Sequence, residues 1–285
     1  MVYKICEQRP GEPGTHIVNV LDDHVTEEEY LDYVATINKI GFFDRIDFFL
    51  KLITYNGRLL SNHLTTVSGT SSKELRKNIE LANKYIYDFA ASFGSFIDYI
   101  EKRIIKKQST QIQEEFKLVK AKYFQDDIYK FWYYMRNYVI HYDIPFNRGE
   151  ALLEDSKEKV KIISDKNHLL KYQEWKHAKA FVSQLDDEVN IQQLIEPLLV
   201  IIHAYYLDLL FIFRELIVET HRYVTNFILK HKARYGIAIM AYKTEQEALE
   251  NKKGDLKFLN INKVDKRIKD LANHPNANIT FVKME

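Results

Sequence analysis

Arg136, Asn137 and His141 are three polar side chains set into the run Asp127 to Phe146, DIYKFWYYMRNYVIHYDIPF, which is otherwise largely apolar and aromatic. An imidazole takes up or releases a proton near neutral pH. A guanidinium stays charged and forks onto two oxygens of an anion. A side-chain amide can orient either partner. Together the three could hold an anion and move a proton. The alternative is a buried network, because an arginine, an amide and an imidazole are costly to bury unless each is paired or faces a cleft.

A helix must carry them. Ile128, Phe131, Trp132, Tyr133, Tyr134, Met135, Tyr138, Val139 and Ile140 are apolar on every side of such a helix, which suits burial in a bundle. Pro145 stops it. At about 100° per residue, Asn137 and His141 share a face one turn apart. Arg136 lies about 140° round from His141 and about one and a half turns below it. One copy of the helix does not easily aim both side chains at one small target. Two copies about a two-fold axis do, each lending its arginine to the other's histidine.

The spacing R-N-x-x-x-H on a bundle helix with a proline exit resembles the HEPN superfamily. The resemblance covers about residues 25–235 as architecture, and six residues as motif. It implies a mainly all-α fold: a HEPN-like helical bundle, here with a small β-hairpin insertion and a small C-terminal α/β appendage. It further implies a metal-independent endoribonuclease that needs no cofactor, works as a homodimer through the motif helix, and serves as a toxin or phage-defence effector. A protein or antitoxin regulator would then be a partner beside RNA. In that chemistry a base takes the 2′-hydroxyl proton, a cation holds the crowded phosphorane, and an acid protonates the leaving 5′-oxygen. His141 would be base or acid, Arg136 would hold the phosphorane, and Asn137 would orient His141 or bind a phosphate oxygen. The products would be a 2′,3′-cyclic phosphate and a 5′-hydroxyl. Some related toxins continue as His-x-Tyr and are silenced by modification of that tyrosine. Here Tyr142 directly follows His141 and Asp143 comes next, so that form of silencing is not supported. The alternative to an enzyme is a non-catalytic helical module that binds a nucleotide, RNA or another protein.

The flanking chain reads as helices. Thr26 with Glu27, Glu28 and Glu29 marks a helix start, and that helix breaks at Gly41. Phe43, Ile46, Phe49, Leu50 and Ile53 continue at helical spacing. One long helix is expected over 72–107, with Gly94 its only weak point, and a shorter one over 110–124. Lys102, Arg103, Lys106, Lys107, Lys117, Lys120 and Lys122 make that corner basic. It is either a solvated face or a patch that tracks phosphates, with Lys106, Lys107 and Lys117 as candidate RNA contacts and Tyr142 as a candidate stacking group. Residues 151–163 read as a β-hairpin with a polar turn. Residues 169–185 read as helix, and 191–234 as a second long helical run bent near Pro197.

Three pieces are expected: an N-terminal arm over 1–24, a helical domain over 25–235, and an appendage over 236–285 with strands near 236–242, 256–261 and 279–282 and helices near 244–251 and 264–272. The chain has 285 residues, 46% hydrophobic content and a formal net charge of +1, so any RNA contact must come from local patches. Its nine glycines and five prolines favour long helices over many turns. Cys6 is the only cysteine, which excludes an intrachain disulfide and suits the reducing cytoplasm. The N-terminus has no apolar h-region. Pro197 to Phe213 is the most apolar segment, but a central Asp208 costs about 3 kcal/mol in a membrane. A bundle helix and no membrane partner are therefore expected. No phosphate-binding glycine loop and no H-E-x-x-H metal motif occurs.

Overall fold

The structure, a computed structural model, describes residues 1–10, 12, 16–154, 157–231, 237–250 and 254–279. In chain order the elements are β1 (Val2–Pro10), β2 (His16–Val25), α1 (Glu27–Asn38), α2 (Phe42–Thr66), α3 (Leu75–Asp98), α4 (Thr110–Tyr123), α5 (Asp127–His141), β3 (Arg148–Glu154), β4 (Lys157–Ile163), α6 (Lys166–Leu170), α7 (Lys179–Gln184), α8 (Ile195–Ile212), α9 (Arg214–Lys230), β5 (Ile237–Tyr242), α10 (Glu245–Leu249), β6 (Asp255–Phe258) and α11 (Ile261–Ala272). The fold is mainly helical. It divides into two compact units, one of residues 1–43 with 213–285, the other of residues 44–212.

The first unit joins the two ends of the chain. β1 pairs antiparallel with β2 on one side and with β5 on the other, giving a sheet of order β2-β1-β5-β6. The arm and the appendage, read from sequence as separate pieces, thus share one sheet. The reason is register: Ile5 sits opposite Ile239 and Tyr3 opposite Ala241, so apolar residues far apart in sequence bury together. β2 is an edge strand. The helix start at Thr26 is as expected, with the Thr26 hydroxyl accepting from Glu29 N–H and the Glu29 carboxylate accepting from Thr26 N–H. Burial pushes the Cys6 thiol pKa up. The strand expected over 279–282 lies almost wholly outside the described residues, and so does the end of the helix expected over 244–251.

The second unit holds the motif helix. α5 packs on α3 through edge-to-face rings, Phe89 on Trp132 at 4.7 Å and Phe93 on Tyr129 at 5.5 Å. Trp132 Nε1 donates to the Leu194 carbonyl at 2.8 Å, which lets the indole be fully buried. On another side of α5, Trp175 stacks on Phe131 and Tyr138, each at 5.7 Å, and donates to the Leu169 carbonyl at 2.6 Å. The helix expected over 169–185 is broken to allow this. Lys176, next to the buried Trp175, adopts φ 45°, a conformation that costs about 1 kcal/mol or more for a non-glycine residue.

Two further expectations change. The long helix over 72–107 is α-helical only to Asp98, then becomes a π-turn, Tyr99–Ile104, and a 3-10 turn, Ile105–Lys107. Ile100, Ile104 and Ile105 are all buried across this stretch. The second long run does not bend near Pro197. That proline stands in the first turn of α8, where its missing N–H leaves no helical bond unmade. The break is at Phe213, between α8 and α9. By length and composition Ile191–Ile212 could cross a membrane, yet half of it is buried inside the protein. Its Asp208 accepts from the Tyr123 hydroxyl at 2.6 Å and from Lys122 at 2.8 Å, so the carboxylate is satisfied by α4.

Candidate functional site

α5 is fixed at both ends. The Asp126 carboxylate caps it, accepting from the N–H groups of Ile128 at 2.8 Å and Tyr129 at 3.0 Å. At the other end Tyr142 leaves the helical region, and the N–H groups of Tyr142 and Asp143 both donate to the Tyr138 carbonyl. Asn83 of α3 then clamps the exit: its amide donates to the Phe146 carbonyl at 2.8 Å, and its carbonyl accepts from Phe146 N–H at 3.0 Å. The position of His141 is therefore set by a rigid helix and a pinned return.

The three motif residues do not converge within one chain. Arg136 faces α3. Its Nη2 donates to Asp98 Oδ2 at 2.9 Å, and Asp98 also takes Lys102 at 3.0 Å. Burial pushes the Asp98 carboxyl pKa up, but the two cations outweigh it and hold the group below the usual carboxylate range. The Arg136 side chain lies across Gly94. A Cβ at that glycine would fall 2.2 Å from Arg136 Nε and 2.3 Å from Cδ, so only glycine lets the arginine reach Asp98 along this path. Asn137 is half-buried and His141 exposed. Neither side chain has a hydrogen-bond partner among the described residues. The bundle engages Arg136 and leaves the half-buried Asn137 and the exposed His141 unpaired among the described residues.

Asp98 escaped the sequence reading, and Gly94 entered it only as a weak point. The available signal was the series Gly94, Asp98, Lys102 at four-residue steps on a helix whose other stripe is apolar. Gly94 read as a weak point is instead the notch that seats Arg136.

Tyr142 is half-exposed, with its ring 5.5 Å from Tyr138 and 5.2 Å from Tyr172. Burial pushes the Tyr138 hydroxyl pKa well above its usual value, so it stays protonated. His168 Nε2 lies 3.2 Å from Asp143 Oδ2 but is not aligned as a hydrogen bond.

The basic corner is partly neutralised. Lys102 pairs with Asp98, Lys117 with Glu114, Lys120 with Glu101 and Lys122 with Asp208. Arg103, Lys106 and Lys107 are exposed and have no ion-pair partner among the described residues. Of the lysines singled out from sequence, Lys106 and Lys107 keep an unspent charge and Lys117 does not. Among the described residues no three His, Cys, Asp or Glu side chains come together as metal ligands.

No family model, no curated protein and no solved structure matches this chain.

Proposed function

We propose that this protein is a metal-independent endoribonuclease of the HEPN type, acting in the cytoplasm as a homodimer whose motif helices face each other. The observation that carries the reading is the division of labour on α5. His141 stands exposed and without a partner among the described residues, at the end of a helix held by its Asp126 cap, by Arg136–Asp98 and by its pinned exit, one turn from an equally unpartnered Asn137. Polar groups that a bundle neither buries nor pairs are available for chemistry. His141 serves as the proton carrier, Arg136 of the second copy neutralises the phosphorane, and Asn137 orients the imidazole or a phosphate oxygen. Attack by the 2′-hydroxyl expels the 5′-oxygen and leaves a cyclic phosphate. Lys106 and Lys107 supply non-specific phosphate contacts, and Tyr142 offers a half-exposed ring for a base. A role in growth arrest or phage defence, under a protein regulator, fits this activity.

One observation favours the second reading, a non-catalytic helical module. Arg136 is already engaged by Asp98, as a structural tie would be. The experiment that separates the two is cleavage of end-labelled RNA by purified protein, with and without EDTA. Cleavage to cyclic phosphate ends that is indifferent to EDTA and absent in His141→Ala supports the enzyme. No cleavage by wild type on any single-stranded or structured RNA leaves the binding module.

A further inference from the structure

The hairpin β3–β4 is a two-stranded sheet, so one edge of β4 lacks a strand beside it among the described residues. Just beyond β4 that edge does find a neighbour. Val189 N–H donates to the Ser164 carbonyl at 2.8 Å, Lys166 N–H donates to the Asp187 carbonyl at 2.9 Å, and Asp165 bridges Glu188 in antiparallel fashion. Residues 187–189 therefore lie where a third strand would start. They leave that lane at once, because Asn190 caps the 3-10 turn Ile191–Leu194 and the chain enters α8. The rest of the lane is a cleft of about 390 Å³, walled on one side by every residue from Val160 to Ser164.

Successive residues of a strand direct their backbone groups to opposite sides. The Ser164 carbonyl points into the lane, so those of Ile162 and Val160 do as well. Neither residue has a backbone partner on that side among the described residues. Leu64, Val67 and Ile191 give the cleft an apolar strip, beside the polar Ser68, Gln192 and Gln193. Ser164, 1% exposed, lines the end of the lane beside Val189, and its hydroxyl has no hydrogen-bond partner among the described residues. An orphaned buried hydroxyl is a cost that a bound donor or acceptor removes. The charges lean one way. Lys161 and Arg148 are both engaged by Glu188, while Asp186 on the rim is exposed and has no ion-pair partner among the described residues.

We propose that this cleft receives an extended peptide of alternating apolar and basic residues, which adds to β4 as a third strand. Its backbone pairs with Ile162 and Val160. Its apolar side chains meet the apolar strip, a lysine or arginine meets Asp186, and a backbone group satisfies Ser164. About four residues fill the lane, at about 3.3 Å per residue. Arg136 and His141 take no part, so the site stands or falls apart from the ribonuclease reading.

The test uses the full, isotope-labelled chain and the peptide acetyl-Lys-Val-Lys-Val-Lys-amide. Saturable binding is expected, with the largest shift at the Ile162 amide and slowed hydrogen exchange there. The Glu-Val-Glu-Val-Glu analogue should bind at least tenfold more weakly, and a backbone N-methylated analogue should not bind. Ile162→Pro removes an N–H directed away from β3, so it should keep its far-ultraviolet circular dichroism and lose the peptide. If that variant does not fold, the exposed Asp186→Lys decides, and should prefer the Glu peptide to the Lys peptide. No saturable binding, equal binding of the N-methylated peptide, an unaltered preference in Asp186→Lys, or shifts at Ile162 caused by a short RNA and not by the peptide would each overturn the proposal.

Discussion

Arg136 reaches Asp98 only by crossing Gly94, with the Nη2-to-Oδ2 hydrogen bond at 2.9 Å and no room for a Cβ beneath the guanidinium. The arginine is thus held on the α3 side of α5 while His141 projects to solvent from its end. This geometry makes the two residues experimentally separable.

Gly94→Ala should displace the arginine without unfolding the protein. Alanine gains about 1 kcal/mol of helix propensity over glycine, and the side chain it strikes can swing outward. Denaturant midpoints should therefore stay close to wild type while cleavage falls at least tenfold. A variant that cleaves normally would show that the seated arginine is not needed.

His141→Ala should change stability by no more than about 0.5 kcal/mol, as for other exposed sites without partners. Arg136→Ala should cost about 1 kcal/mol, since the partly exposed Asp98 keeps Lys102 and water. Both should abolish cleavage of labelled RNA. Retained cleavage in either one removes that residue from the mechanism.

Mixing those two inactive variants tests the composite site. If each active centre takes Arg136 from one copy and His141 from the other, re-equilibrated mixtures contain heterodimers with one complete centre. About a quarter of wild-type activity should return at equal concentrations, because about half the dimers are mixed and each has one of two sites. Mixtures that stay inactive, with exchange verified by light scattering or native mass measurement, exclude sharing across the dimer.

The Asp98 carboxyl has a pKa below its unfolded value. Its ion pairs therefore contribute stability above the unfolded carboxylate pKa of about 3.9, and that contribution is lost as pH falls through the depressed folded value. The stability gap between wild type and Asp98→Asn should be level from about pH 6 to 8 and shrink below about pH 4. At a third exposed, the gap should be about 1 kcal/mol. A gap that grows on acidification would contradict the assignment, and urea titrations at stepped pH measure it.

Lys106→Glu with Lys107→Glu should weaken RNA binding and flatten its salt slope by about 0.7 for each phosphate no longer neutralised. Lys117→Glu should do less, because Glu114 already holds that lysine. Fluorescence anisotropy at several salt concentrations distinguishes them, and equal effects would assign Lys117 to the same patch.

Residue order was enough to specify a mainly helical chain, a motif helix that ends a few residues short of Pro145, at His141, and a hairpin that interrupts the helices. These follow from short-range physics: residue spacing, caps and breakers act within a turn or two. Arg136 and His141 likewise fall on different sides of one helix by arithmetic on a fixed pitch. What each motif residue meets depends instead on the packed chain. Asp98 lies 38 positions from Arg136 in the chain, and nothing local marks the two as partners. The π-turn after Asp98, the broken helix around Trp175 and the sheet that joins β1 to β5 arise because burial of distant side chains outweighs local propensity. The open lane beside β4 belongs to the same class. It exists because Asn190 turns the neighbouring segment away after a few residues, which depends on where two remote stretches come to lie against each other.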